Sequence, residues 1–326
     1  MNENMNIKAK KRDTSLDAIA GLLILHMITL HCVQNTIGQL WQYEIISNIL
    51  MFFMPWFFFK NGMFINDKST FNWKKDASRL LKPFVVYSAI GLAVGAFYYC
   101  IAKDEVFWKY VLKSFYGLFK NGSIQGNLPL WFLLSLFLAR MVYGKVKGFV
   151  SNLIIALVGF LIGLGLSFLN VHTIGWIVNL PICISFLVMG AILREKQYNR
   201  RLFIIAMVSY LAIEIFCLST VDIHGNEIVQ GHYFLWWISS LSGIIVINNI
   251  FKFINLRFLV VIGRNSMEYY VWHWIIMLAL LFACYLMGIV HTLWFFGIVW
   301  GGGKLCLSFS CTASIHGNSN IKIDRW

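Results

Sequence analysis

Long apolar windows separated by short charged links set the first limit on what this chain can be. They run roughly over residues 16–33, 45–65, 83–101, 128–144, 149–168, 173–193, 202–220, 233–250 and 266–287, and a tenth begins near residue 289. A helix that crosses a bilayer needs about 20 apolar residues. In lipid, every backbone N–H and C=O must bond within the chain, so these windows are predicted to be helices. Pro129 falls in the first turn of its window, where a missing N–H costs little. The fold class that follows is all-α: a polytopic integral membrane protein of about ten transmembrane helices. Composition agrees, with 59% of residues apolar, 13% charged and a mean hydropathy of +0.70. A soluble domain is about half apolar and a quarter charged.

Charge gives the windows a direction. With the N-terminus inside, alternate connections place nineteen of the 27 Lys and Arg on the inner side and four on the outer, namely Lys103, Lys109, Lys113 and Lys120. This is a positive-inside bias, which puts the N-terminus in the cytoplasm. The net charge of +13 is therefore a topology signal and not a nucleic-acid footprint. Lipid is the predicted partner and nucleic acid is not. The first apolar run has no small-residue cleavage site behind it and is followed at once by a second, so it reads as a span and not as a cleavable signal peptide. The seven cysteines are scattered, with no CxxC and no Cys/His pair at metal spacing. Apolar packing is their expected role, and no metal is predicted.

The longest outer connection, about 102–127, alternates charge with Phe107, Trp108, Tyr110, Phe115, Tyr116 and Phe119, which predicts an amphipathic helix lying in the interface. A second outer loop, near 221–232, carries Asp222, His224, Glu227 and His232. No repeat of fixed period is present. Residues 301–326 form an atypical C-terminal tail that opens on three glycines. Three glycines are costly in a helix, so the tenth span is expected to be broken or incomplete. One reading of the tail is sequence read out of frame, which sequencing the locus tests.

Ionisable groups at membrane depth are expensive and therefore candidates for function. His26 and His31 are five residues apart, about 140° around a helix, so they cannot face one site unaided. For His26 the plainer reading is a packed neutral imidazole, and for Lys60 it is snorkelling to the headgroups. His273, between Trp272 and Trp274, is as readily a core histidine as a functional one. Glu214 needs a proton or a partner, and Glu268 is spaced to meet Arg264 at i,i+4. GxSxG, GxGxxG, P-loop and HExxH motifs are all missing. On the residues alone, the reading stops at a polytopic membrane protein with buried histidines.

Five segments carry a resemblance. RDTSLDAIAGLLILHMITLHC around the first span holds Asp17 and His31, fourteen apart. It is followed in order by MPWFFFKNGMF (54–64), RLLKPF (79–84), LWFLLSLF (130–137) and IGRNSMEYYVWH (262–273). The ordered set resembles the acyltransferase 3 family, in particular its fucose 4-O-acetylase-like branch. The resemblance implies an acyltransferase 3-like transmembrane domain over residues 1–300, in a bacterial cell (inner) membrane. It also implies transfer of an acyl group, usually acetyl from acetyl-CoA, to a hydroxyl of a sugar or surface glycan, and it places His31 at the family's essential histidine. The chain departs from the pattern at Ala20, which stands where the family has a basic residue, with ten residues between it and His31. Lys60 is a possible substitute, because antiparallel spans bring it to similar depth.

The chemistry suits an imidazole. A sugar hydroxyl attacks a thioester only as its proton is removed, and a histidine base contributes about 10²–10⁴-fold. His31 is then the general base, or briefly carries the acyl group. Lys60, Arg79 and Lys82 are candidates to meet the phosphates of acetyl-CoA, and Asp17, Asn61, Asn265, Ser266 and His273 to orient substrate. A transporter or flippase, with the buried His and Lys as its pathway, and a non-catalytic relative are the alternatives. The inverted repeats and paired broken helices of transporters are not seen.

Overall fold

A computed structural model describes residues 13–36, 41–65, 72–169, 174–216, 223–224, 227–228, 233–254 and 256–288. The described parts of the predicted windows are helical. They run α1 (Thr14–Thr36), α2 (Trp41–Ile49), α3 (Phe53–Met63), α4 (Trp73–Asp76), α5 (Lys82–Phe97), α6 (Phe107–Asn121), α7 (Trp131–Val146), α8 (Asn152–Phe168), α9 (Gly175–Leu193), α10 (Arg200–Phe216), α11 (Tyr233–Ile250), α12 (Arg257–Arg264) and α13 (Ser266–Leu286). A two-residue hairpin, Ile223–His224 with Glu227–Ile228, lies between α10 and α11. The protein is an all-α, polytopic membrane protein.

Among the described residues, six helical stretches are long and apolar enough to cross a membrane: Thr14–Gln34, Trp73–Ala102, Leu128–Val146, Gly175–Leu193, Tyr233–Ile250 and Ser266–Leu286. α8 is equally apolar but has 17 residues. The difference from ten has local causes. The 45–65 window breaks between α2 and α3, just ahead of Pro55, whose ring and missing N–H fit only a first helical turn. Only Arg200–Phe216 of the 202–220 window is described, and the expected tenth span and the tail lie outside the described residues. The 83–101 window proves longer than predicted, because α4, a π-turn (Ala77–Leu81), α5 and a second π-turn (Tyr98–Ala102) form one continuous stretch. Pro83 has no N–H for the Arg79 carbonyl four residues back, and a wider turn is the local answer.

Glycines set the closest helix crossings. A Cβ on Gly263 of α12 would stand 1.6 Å from the Asp17 carbonyl oxygen of α1, and one on Gly21 would stand 2.1 Å from the Leu259 carbonyl oxygen. Gly62 of α3 and Gly190 of α9 are seated in the same way, against the backbone of Leu187 and Phe59. Small residues let backbones meet where lipid supplies no hydrophobic drive between helices. The flanks carry exposed Val85, Leu153, Leu157, Ile204 and Val208, as a bundle solvated by lipid requires.

The amphipathic helix expected over 102–127 is α6. It exposes Phe107, Trp108, Leu112, Phe115, Tyr116 and Phe119, and buries Tyr110 and Ser114. Tyr110 Oη donates to the Leu92 carbonyl at 3.0 Å, and Gly122 ends the helix at φ 73°.

Candidate active site

α1 brings His31 to α13, where its ring stacks on that of His273, with centroids 5.5 Å apart and planes 20° apart. The edge of Trp274 closes a second side of His31, with ring centroids at 5.3 Å. His26 points elsewhere, as the 140° argument requires, and packs edge-on against Phe53 at 5.2 Å. The two histidines of α1 therefore pack on different rings, though they remain within electrostatic range of each other.

His273 is 8% exposed. Its Nδ1 lies 2.6 Å from the Tyr270 carbonyl oxygen. A carbonyl only accepts, so Nδ1 carries the ring proton and Nε2 is left as the acceptor. Among the described residues no hydrogen-bond partner reaches Nε2, and the indole Nε1 of Trp274 is likewise without one. An unmet buried polar group costs about 1–3 kcal/mol. Two such groups lie beside the stacked imidazoles, as others do elsewhere among the described residues, Trp236 Nε1 and the Tyr233 hydroxyl among them.

The register of α13 is fixed from outside. Asn127 Nδ2 donates to the Val271 carbonyl at 3.1 Å, and the Tyr270 hydroxyl donates to the Pro129 carbonyl. Tyr270 then packs on Phe132 at 5.7 Å, and Phe132 packs on Phe58 at 4.8 Å. Segments 54–64, 130–137 and 262–273 are thus joined by one aromatic path. At its far end Met54, Pro55, Phe58, Trp131, Asn179, Ile182 and Cys183 line a small cavity of about 10 Å³. Asn179 is 1% exposed, and neither atom of its amide has a partner among the described residues. Neither Asn127 nor Asn179 stood out in the sequence. An asparagine inside an apolar window was the one signal that could have flagged Asn179.

The basic candidates divide between two elements. Lys60 Nζ lies 3.4 Å from the Leu16 carbonyl oxygen of α1, one turn from Ala20, and 5.1 Å above the Trp56 ring. Lys60 therefore lies against the first turns of α1. Arg79, in the first π-turn, lies within electrostatic range of Arg140 and Asp76, where Arg140 Nε and Nη2 donate to the Asp76 carboxylate at 3.2 and 3.3 Å. Lys82 is exposed at the start of α5. Asp17, 3% exposed, meets Arg264 of α12 at 3.6 Å, so Arg264 reaches across to α1, and Glu268 lies on the next helix, α13. Asn61 and Asn265 donate to carbonyls of their own helices, those of Phe57 at 2.9 Å and Val261 at 3.3 Å. Ser266 opens α13. These residues are not gathered around His31. Of the predicted orienting residues, His273 is the one placed against it.

The acyltransferase-domain model of the acyltransferase 3 family matches residues 13–301. The chain belongs to this family. No curated protein and no solved structure is detectably similar to it. Membership makes the chain a membrane acyltransferase, and the match takes in both histidines, Lys60, Arg79 and Lys82. Four of the five resembling segments pack on one another: α1 on α12 through Gly21 and Gly263, and α3, α7 and α13 through their aromatic rings.

Proposed function

We propose that this protein transfers an acyl group, acetyl by preference, from acyl-CoA to a hydroxyl of a sugar or surface glycan, with His31 as general base. It would do so in a bacterial cell membrane with its N-terminus in the cytoplasm. The stacking of His31 on His273 carries this reading, since it sets an imidazole inside the bundle beside an acceptor atom with no partner among the described residues. As the hydroxyl oxygen bonds the acyl carbon, its proton passes to His31 and the thiolate of CoA leaves, to be protonated in turn. Lys60, Arg79 and Lys82 would meet the donor's phosphates from the N-terminal end of α1. Lys60 stands there one turn from Ala20, which supports it as the stand-in for the family's basic residue.

Mass spectrometry of the host's surface glycans, with and without the gene, tests the proposal. Loss of one acyl group per modified unit on deletion, restored by the wild-type gene and not by His31→Ala, is the expected result. Unchanged acylation with altered glycan export would overturn it in favour of transport.

A further inference from the structure

The fold decides which nitrogen of His273 is available, and this bears on what the acceptor must look like. Nδ1 is held by the Tyr270 carbonyl at 2.6 Å, which leaves Nε2 able only to accept while the ring is neutral. Nε2 is buried and has no partner among the described residues. It lies in the ring stacked on His31, with centroids 5.5 Å apart and planes 20° apart. The stacking holds the two imidazoles side by side, with Gln34 as a hydrogen-bond partner of His31. If one takes the hydroxyl that is acylated, the other faces whatever is next to that hydroxyl, and only a hydrogen-bond donor satisfies it.

We propose that Nε2 of His273 accepts a hydrogen bond from a second hydroxyl next to the one that is acylated, so that the protein selects vicinal diols over isolated alcohols. Vicinal hydroxyls are one carbon–carbon bond apart, and each O–H···N bond reaches out by about 3 Å, which spans the gap between the rings. His273 thus determines specificity, and His31 handles the proton of the reacting hydroxyl. The inference rests on the acyltransferase reading above and adds the acceptor class to it.

The test uses the full-length protein in lipid nanodiscs with acetyl-CoA, and methyl pyranosides alongside their monodeoxy derivatives as acceptors. Removing the hydroxyl next to the acylated position is expected to lower kcat/KM of the wild type by about 10²–10⁴-fold, as a site built to bond a hydroxyl rejects an analogue without one. In His273→Leu the same pair of acceptors should differ by no more than a few-fold. His273→Gln, which keeps an acceptor near the position of Nε2, should recover part of the preference. Each ratio is taken within one variant, so the fraction of folded protein cancels. A His273→Leu variant that keeps the wild-type ratio would overturn the proposal, as would a wild type that treats the two acceptors alike. Transfer to none of the pyranosides would instead overturn the sugar-acceptor reading beneath it.

Discussion

Two buried polar regions of this molecule are built on opposite principles. Between α3, α9 and α11 a network closes on itself. Trp56 Nε1 donates to Asn248 Oδ1 at 2.8 Å, and Asn248 Nδ2 donates to Gln197 Oε1 at 2.8 Å. Gln197 Nε2 donates to the Arg194 carbonyl at 3.1 Å, and Asn249 Nδ2 to the Gln197 carbonyl at 2.9 Å. Asn248 and Gln197 are fully buried, and the network leaves none of their side-chain amide atoms without a partner. Between α1 and α13 the opposite holds. His273 and Trp274 are buried too, yet each keeps a polar nitrogen that nothing in the described fold meets. A satisfied network fixes one packing, whereas a half-satisfied one is tolerated where a ligand completes it. The first region is structure, and the proposed function makes the second the place of chemistry.

The contrast breaks most visibly at His31. His31→Ala is expected to lower acyl transfer by at least 10²-fold while the variant inserts in the membrane and melts within about 1 °C of wild type in detergent. His26→Ala, on another face of α1, should stay within several-fold. Equal transfer by His31→Ala and wild type would erase the distinction between the two regions. Asn248→Ala should show the reverse signature. It strands Trp56 Nε1 and Gln197 Oε1 in the interior, at a cost of about 1–3 kcal/mol, read as a lower midpoint in a thermal or denaturant melt. Transfer per folded molecule should be kept. A loss of kcat at full stability would move this network from structure to chemistry.

How much of this was legible in the sequence follows the range of the interactions. Apolar windows are local, so the helices were predictable, and so was α6 from its alternation of charge and aromatic residues. The divergence of His26 and His31 needed only the helical repeat. Their partners did not follow, because His273 reaches His31 through the return of α13 onto α1, and nothing in either segment encodes that contact. Spacing offered Arg264 to Glu268, but a break puts the two on different helices, and the glycine crossing of α1 and α12 carries Arg264 to buried Asp17 at 3.6 Å. The Trp56–Asn248–Gln197 network was invisible for the same reason, since an asparagine or glutamine at a helix end reads as a surface residue until three distant segments enclose it. The 45–65 window failed locally, at a proline that hydropathy averages away.

The smallest effect tests the link between the α1–α13 site and its basic end. Lys60 Nζ bonds the Leu16 carbonyl at 3.4 Å and lies over Trp56, one turn from the alanine that replaces the family's basic residue. If it meets the acyl donor there, Lys60→Ala removes one charged contact to the donor and none to the reacting atoms. The donor KM should then rise about five- to tenfold, near 1–1.4 kcal/mol, with kcat almost unchanged, the pattern of lost uniform binding. Lys60→Arg should hold the donor KM within about twofold. Trp56 is also the donor that opens the closed network, so a Lys60→Ala variant that lowers the melting midpoint and leaves the donor KM untouched would assign Lys60 to the structural region. That result would leave the place of the missing basic residue to Arg79 and Lys82.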